Sequence, residues 1–113
     1  MTSLELAKKA ALILDDKKAL KINLVKIEEI SSLADYFVIA HGNSSVHVRA
    51  LTEELEEKLK EDGAGDPRVE GHRGGAWILL DYGSVVVHVF TPEAREFYDL
   101  DRLWTDGEKI DWQ

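Results

Sequence analysis

The segment over residues 77–90, WILLDYGSVVVHVF, constrains the fold of this chain more than any other. Its centre, Gly83-Ser84, fits the two-residue loop of a type II′ β-turn, in which glycine takes the first central position because that position has a positive φ. Such a turn fixes the pairing of the flanking strands, so that Trp77 faces Phe90. The sequence therefore predicts an antiparallel hairpin with a single register.

Side-chain alternation gives this hairpin two different faces. The apolar face comprises Ile78, Leu80, Tyr82, Val85, Val87 and Val89. The mixed face comprises Trp77, Leu79, Asp81, Val86, His88 and Phe90. Burying an unpaired carboxylate is costly, whereas an apolar surface gains free energy when helices cover it. We therefore expect the apolar face to pack under helices and the mixed face to contact water or another protein.

A second interpretation of the mixed face stays open at this point. A helix could cover it as well, with Asp81 reaching solvent at the end of its strand and His88 hydrogen-bonded to a neighbour, since strand histidines are often structural. Aromatic side chains beside charged groups are, however, typical of the centre of a protein interface. The fluorescence of Trp77 separates the two interpretations, because a covered indole emits at shorter wavelength and resists quenching.

The segments around the hairpin carry helical or strand patterns. Thr2 and Glu5 match a capping box, and Thr91-Pro92 matches an N-cap followed by the first residue of a helix. The predicted elements are helix 3–17, strands 21–27 and 36–40, a helix from 45 to about 62, strands 68–72, 76–83 and 84–91, and short helical segments over 93–99 and 100–104.

This order of elements indicates a single α/β domain with a mixed β-sheet. We assign residues 1–104 to that domain. Asp99 is expected to cap the last helical turn. Residues 105–113 are expected to form a loose C-terminal tail.

The charge balance bears on the kind of partner. The chain has 22 acidic residues against 14 lysines and arginines, a formal net charge of −8. This excess repels nucleic-acid phosphates and attracts a basic protein, so we expect little direct nucleic-acid binding. No apolar run reaches the length that crosses a bilayer and no secretory signal is evident, which predicts a cytoplasmic protein without a membrane partner. The absence of cysteine excludes disulfides and thiolate chemistry.

Catalytic and metal-binding patterns are weak in this sequence. None of the four histidines has the helical spacing to a second histidine and a carboxylate that is typical of a zinc site. The segment HGNSS resembles the entrance of a nucleotidyltransferase fold, but two-metal chemistry needs convergent carboxylates, and Asp81 and Glu70 are solitary on their strands. We therefore expect no enzyme, metal or cofactor, and keep a metal-dependent nucleotidyltransferase-like enzyme as the alternative.

Three separated motifs, DYFVIAHGNSSVHVRAL, VEGHRGGAWILLDYGSVVVHVF and REFYDLDRLW, resemble the Iojap-related ribosomal silencing factors in order and spacing, from about Leu4 to Trp104. The resemblance implies an α/β domain that is nucleotidyltransferase-like without the catalytic acids. It implies a translational repressor that binds the large ribosomal subunit through ribosomal protein fourteen, blocks joining of the small subunit and silences translation when nutrients are limited. It also allows a homodimer in isolation.

The same resemblance, together with the mixed face, supplies the predicted partner-binding residues. They are Asp35, Tyr36, Glu70, Gly71, Trp77, Asp81, Tyr82, His88 and Phe90. Trp77 is expected to be the anchor, and Asp81 and Glu70 are expected to meet lysine or arginine at the rim. Tyr82 fits least well, because the predicted register places it on the opposite face from Trp77.

Overall fold

The computed structural model describes residues 1–113, except for the side chain of Leu103. The strands are β1 (Leu20–Lys26), β2 (Tyr36–His41), β3 (Arg68–Glu70), β4 (Trp77–Asp81), β5 (Val85–Phe90) and β6 (Glu108–Ile110). The helices are α1 (Ser3–Asp16), α2 (Ser45–Glu61), α3 (Pro92–Tyr98) and α4 (Leu100–Leu103). The strands form one six-stranded sheet in the order β3-β4-β5-β2-β1-β6. The β2–β5 pair is parallel and the other pairs are antiparallel, so the predicted α/β class with a mixed sheet is confirmed.

The predicted hairpin register is confirmed. Trp77 pairs with Phe90, and the register continues without a shift to Asp81 and Val86. The backbone N–H of Tyr82 donates to the carbonyl of Val85 at 2.9 Å, and Gly83 has a φ of 88°, which a residue without a side chain adopts at little cost.

Helices α1 and α2 cover the apolar face of the sheet. The side chain of Thr2 accepts from the amide of Glu5 and the Glu5 carboxylate accepts from the amide of Thr2, which completes the predicted capping box of α1. The side chain of Ser44 caps α2 by accepting from the amide of His47. Both helices turn an apolar stripe toward the strands, and this first core includes Leu14, Val48, Leu51, Leu55, Leu59, Ile78, Leu80, Val85, Val87 and Val89. Within the described part of the chain, no helix is both long and apolar enough to cross a membrane.

Helices α3 and α4 cover part of the mixed face. The side chain of Thr91 accepts from the amide of Ala94, which starts α3 as predicted. Buried side chains from these helices and from the strands form the second core: Val25, Ile27, Ala34, Phe37, Ile39, Val86, Phe90, Ala94 and Leu100. Because α3 and α4 are short, they lie over only part of this face.

Two expectations for the C-terminal region are wrong. Asp99 makes no side-chain capping bond; it adopts a left-handed conformation with φ 49° and ψ 47° and forms the corner between α3 and α4. Residues 105–113 are not loose, because β6 pairs antiparallel with β1 and the indole N–H of Trp112 donates to the carbonyl of Ile22 at 3.2 Å. The edge of β1 offers free backbone groups, and a three-residue strand that satisfies them has too little sequence pattern to be recognised beforehand.

Candidate docking surface

The expected exposure of His88 and Phe90 is wrong. His88 is 4% exposed and Phe90 is completely buried, so neither side chain can reach a partner while α3 and α4 are in place. The His88 ring packs edge-on against Phe37, with ring centroids 4.6 Å apart. The second interpretation, in which helices also cover the mixed face, therefore holds for the centre of that face.

The buried histidine is tied to Trp77. The indole N–H of Trp77 donates to Nδ1 of His88 at 3.2 Å, which places the proton of the neutral imidazole on Nε2. His88 Nε2 is buried and has no hydrogen-bond partner among the described atoms. Burial lowers the pKa of His88 to about 4, and the nearby Asp81 carboxylate only partly opposes this effect. The histidine is thus held neutral, as an acceptor that fixes the orientation of the indole.

Three predicted site residues do not join Trp77. Tyr36 is buried in the first core, so its expected place on the surface is wrong, and Tyr82 packs against that core from the helix-covered face. Burial, followed by the charges of Glu56 and Asp66, raises the pKa of Tyr82 to about 12. Asp35 lies near the start of α1, where its carboxylate accepts from the Ser3 hydroxyl at 3.0 Å.

The remaining predicted residues lie at the open end of the mixed face, beside β3. Glu70, Gly71, Trp77 and Leu79 line a shallow hollow of about 230 Å³. Trp77 and Leu79 are half-buried, and Glu70 and Gly71 are exposed. The hollow exists because the short helices stop before this end of the sheet, and its floor is apolar.

Aromatic side chains extend this hollow onto α3. The Trp77 ring stacks on Phe90 at a centroid distance of 4.9 Å and contacts Tyr98 at 4.8 Å. Tyr98 in turn contacts Phe97 at 5.1 Å, and these two residues are 50% and 80% exposed. We call the continuous surface formed by Glu70, Gly71, Trp77, Leu79, Phe97 and Tyr98 the docking surface.

Sequence reasoning omitted Leu79, Phe97 and Tyr98 from the predicted binding residues. The helical pattern gave no signal for Phe97 and Tyr98. They follow Ala94 at positions i+3 and i+4, a spacing that predicts burial on the same face of the helix, whereas the structure leaves both side chains exposed.

Charged groups lie around the docking surface. Arg68 and Glu70 share a face of β3 with Asp81 and Leu79 of β4, because Arg68 pairs with Asp81 and Glu70 pairs with Leu79. A guanidinium nitrogen of Arg68 lies 3.6 Å from a carboxylate oxygen of Glu70, and both side chains are exposed. Asp81 Oδ1 accepts from the amide of Gly83 at 2.8 Å, so this carboxylate also stabilises the hairpin turn.

A half-buried polar cluster fixes α3 and thereby the two exposed aromatics. The Arg95 guanidinium donates to both carboxylate oxygens of Asp101, at 3.1 and 3.0 Å, and to the carbonyl of Leu20 at 3.3 Å. Burial alone would raise the pKa of Asp101, but the hydrogen bonds from Arg95 and Asn23 outweigh it and lower that pKa. Burial and the Arg95 charge lower the pKa of His41, whose Nδ1 lies 3.0 Å from Arg95.

This surface has three chemical features. Its hollow is apolar, its rim is charged, and the one histidine beneath it is sealed from solvent. Among the residues that the structure describes, no group of three or more histidine, aspartate or glutamate side chains is placed to hold a metal ion.

Comparison with known proteins gives a consistent family. The family model described as "ribosomal silencing factor during starvation" matches residues 1–113. A curated relative from Halalkalibacterium halodurans, named ribosomal silencing factor RsfS, is 40% identical over 111 residues, which cover 98% of this chain and 95% of that protein. A crystal structure of a protein from Chromobacterium violaceum superposes with a TM-score of 0.89 at 38% identity and covers 98% of this chain and 92% of that one.

A more distant relative is named for a process. The mouse protein called mitochondrial assembly of ribosomal large subunit protein 1 is 34% identical over 96 residues. The match covers 82% of this chain and 42% of the mouse protein.

Proposed function

This chain belongs to the ribosomal silencing factor family, and we propose that it represses translation by binding the large ribosomal subunit through ribosomal protein fourteen. In this proposal the bound domain occupies space that the small subunit needs, so joining of the subunits is blocked in the cytoplasm when nutrients are limited. The relatives carry names of silencing factors rather than enzymes, and one is named for assembly of a large ribosomal subunit.

The single observation that carries the proposal is the docking surface. An aromatic cluster that is continuous, partly exposed and rimmed by charge has the composition of the energetic centre of a protein interface. Trp77 is the proposed anchor, because its ring is held by Phe90, Tyr98 and His88 and therefore loses little conformational freedom on binding.

Charge complementarity supports a basic protein as the partner. The chain has a formal net charge of −8, and Glu70 and Asp81 lie at or beside the docking surface. Such a domain is attracted toward lysines and arginines on the ribosomal protein and is repelled by bare phosphate, so we propose contact with protein rather than with ribosomal RNA. Changing a rim charge should mainly alter the association rate and its dependence on salt.

Sedimentation with separated ribosomal subunits tests the function. Silencing predicts that the protein migrates with the large subunit and that fewer joined ribosomes form when the small subunit is added. Migration with neither subunit contradicts the proposal. Metal-dependent consumption of a nucleoside triphosphate would instead support the nucleotidyltransferase-like alternative. The same sedimentation on the free protein, at increasing concentration, measures the proposed homodimer.

Site-directed crosslinking tests the partner. The chain contains no cysteine, so Glu70→Cys creates a single attachment point at the docking surface for a photoreactive group. Crosslinking to ribosomal protein fourteen is expected from this position. A matched variant, Lys58→Cys on the exposed side of α2, should give no such product. Equal crosslinking from both positions, or a different protein from Glu70→Cys, contradicts the assignment.

The anchor is tested by Trp77→Ala. Truncating an interface anchor costs about 2 to 4 kcal/mol, which weakens binding to the large subunit roughly thirtyfold to a thousandfold. Circular dichroism should show that the variant is folded. The control is Leu12→Ala, which truncates an exposed apolar residue of α1 away from the docking surface and should bind as the wild type does. A folded Trp77→Ala protein with unchanged affinity refutes the anchor.

A further inference from the structure

We infer that Arg49 of α2 is a positioning residue for the docking surface, which it acts on through the loop between β3 and β4. This inference rests on the proposed function for its effect on binding. Arg49 belongs to α2, which packs on the opposite face of the sheet from Trp77. Its side chain contacts the loop that joins the end of β3 to the start of β4.

The loop over residues 71–76 carries the docking surface at both of its ends. Gly71 lines the hollow, and the residue that follows the loop is Trp77. The amide of Gly75 donates to the carbonyl of Gly71 at 3.1 Å, which closes the loop on itself. The loop also approaches β4 closely, because a Cβ on Gly71 would lie 2.0 Å from the Trp77 carbonyl oxygen. Any shift of the loop therefore changes the shape of the hollow.

Arg49 binds this loop from outside. Its Nε donates to the carbonyl of His72 at 3.1 Å and its Nη2 donates to the carbonyl of Arg73 at 2.8 Å. The guanidinium lies 3.0 Å from the position that a Cβ on Gly75 would occupy, so the glycine lets the arginine approach. One helical turn further on, Glu53 Oε2 lies 3.3 Å from Nε2 of His72. Arg49 and Glu53 of α2 thus both contact the middle of the loop.

The chemistry of arginine suits this contact. Its planar group donates to two carbonyls at fixed spacing, whereas lysine offers a single ammonium on a flexible stem. Apart from the buried Gly75 this loop is exposed, and its glycines let it sample many conformations when it is released. If only a tenth of the molecules then keep the binding-competent shape, the apparent affinity falls about tenfold although no contact to the partner is lost.

The test compares Arg49→Met, which keeps the aliphatic stem, with Arg49→Lys and with Lys58→Met. The last variant makes the same charge change at an exposed position of the same helix. We expect Arg49→Met to bind the large ribosomal subunit about tenfold more weakly, Arg49→Lys to lie between it and the wild type, and Lys58→Met to match the wild type. Hydrogen exchange of the Gly75 amide in the free protein should speed up in Arg49→Met and stay unchanged in Lys58→Met.

The outcomes separate this inference from the proposed function. Failure of the wild type to bind the large subunit defeats the proposed function, while faster Gly75 exchange in Arg49→Met still supports the positioning of the loop. Unchanged exchange in Arg49→Met refutes that positioning whatever the affinity, and weakened binding with unchanged exchange means that Arg49 touches the partner itself. Faster exchange with full affinity shows that the loop does not govern docking. Arg49→Lys keeps the test available if Arg49→Met does not fold.

Discussion

The two faces of the central sheet are covered in different ways. On one face, α1 and α2 run for 14 and 17 residues and bury most strand positions of the first core. On the other face, α3 and α4 have seven and four residues and leave Trp77 and Leu79 half-buried at the β3–β4 end. The first face has the composition of a folding core, while the second has a core under its middle and a partly exposed apolar surface at its end.

In the proposed function, this difference separates stability from binding. An apolar surface that is fully covered contributes free energy of folding, and a partly covered one keeps some of that free energy for a partner. The separation is incomplete in this protein, because His88 and Phe90 support Trp77 from within the second core. Substitutions on the first face should therefore mainly lower stability, and substitutions at the exposed end of the second face should mainly weaken binding.

The largest expected effect lies in the first core. Leu14→Ala removes a completely buried side chain of α1 and should lower the free energy of unfolding by about 3 to 4 kcal/mol, measured by urea denaturation. Binding to the large subunit per folded molecule should not change. The counterpart, Phe97→Ala, should weaken binding with a stability change below about 0.5 kcal/mol, since Phe97 is mostly exposed. Lost affinity in folded Leu14→Ala would break the separation of the two faces.

A pH titration sharpens the comparison in the second core. Because burial lowers the pKa of His88 to about 4, the unfolded chain binds a proton between pH 6.5 and 4 that the native protein does not. Stability is therefore lost as pH falls through this window, by roughly 3 kcal/mol from this residue.

His88→Leu should flatten the decline between pH 6.5 and 4 in urea denaturation curves. The lowered pKa of His41 contributes a decline of the same sign in both proteins, so the difference between them isolates His88. Leu12→Ala, at an exposed position of α1, changes no titratable group; it is the control and should keep the wild-type slope. Identical slopes for wild type and His88→Leu would mean that the imidazole is not sealed.

A smaller effect is expected where the short helices are attached. Arg95→Met removes the paired hydrogen bonds to Asp101 and leaves that carboxylate half-buried without its cation, which should cost about 2 kcal/mol of stability. In Arg95→Met, hydrogen exchange of the backbone amides should speed up more in α3 than in α2. Arg102→Met removes an exposed cation of α4 and should change stability by less than about 0.5 kcal/mol. Equal losses of stability in the two variants would show that the Arg95 cluster does not hold α3 and α4 on the sheet.

Local patterns predicted most of the fold. The turn at Gly83-Ser84 sets the hairpin register by itself, and the capping box at Thr2 sets the start of α1, because both signals depend on neighbouring residues alone. The α/β class followed from the order of the elements. The corner at Asp99 was not predictable in this way, since a left-handed conformation outside glycine depends on the contacts of the helices on both sides.

The site was predicted less completely than the fold. Alternation along the strands placed Trp77, Leu79, Asp81 and His88 on one face, and that assignment is confirmed by the register. It could not say how much of that face the short helices cover, because coverage depends on the corner at Asp99 and the Arg95–Asp101 pair. The chemical rule that polar groups avoid burial also misled the prediction for His88, since a neutral imidazole with one partner can be buried.

The last strand has a consequence for the folding pathway. Strand β6 pairs with β1, so the contact of Leu24 with Ile110 closes a loop over most of the chain. Closing such a loop is entropically slow, so β1 remains an open sheet edge during the early stages of folding. Lys21 and Lys26 belong to β1, and lysine side chains on an open edge strand disfavour its pairing with a second chain.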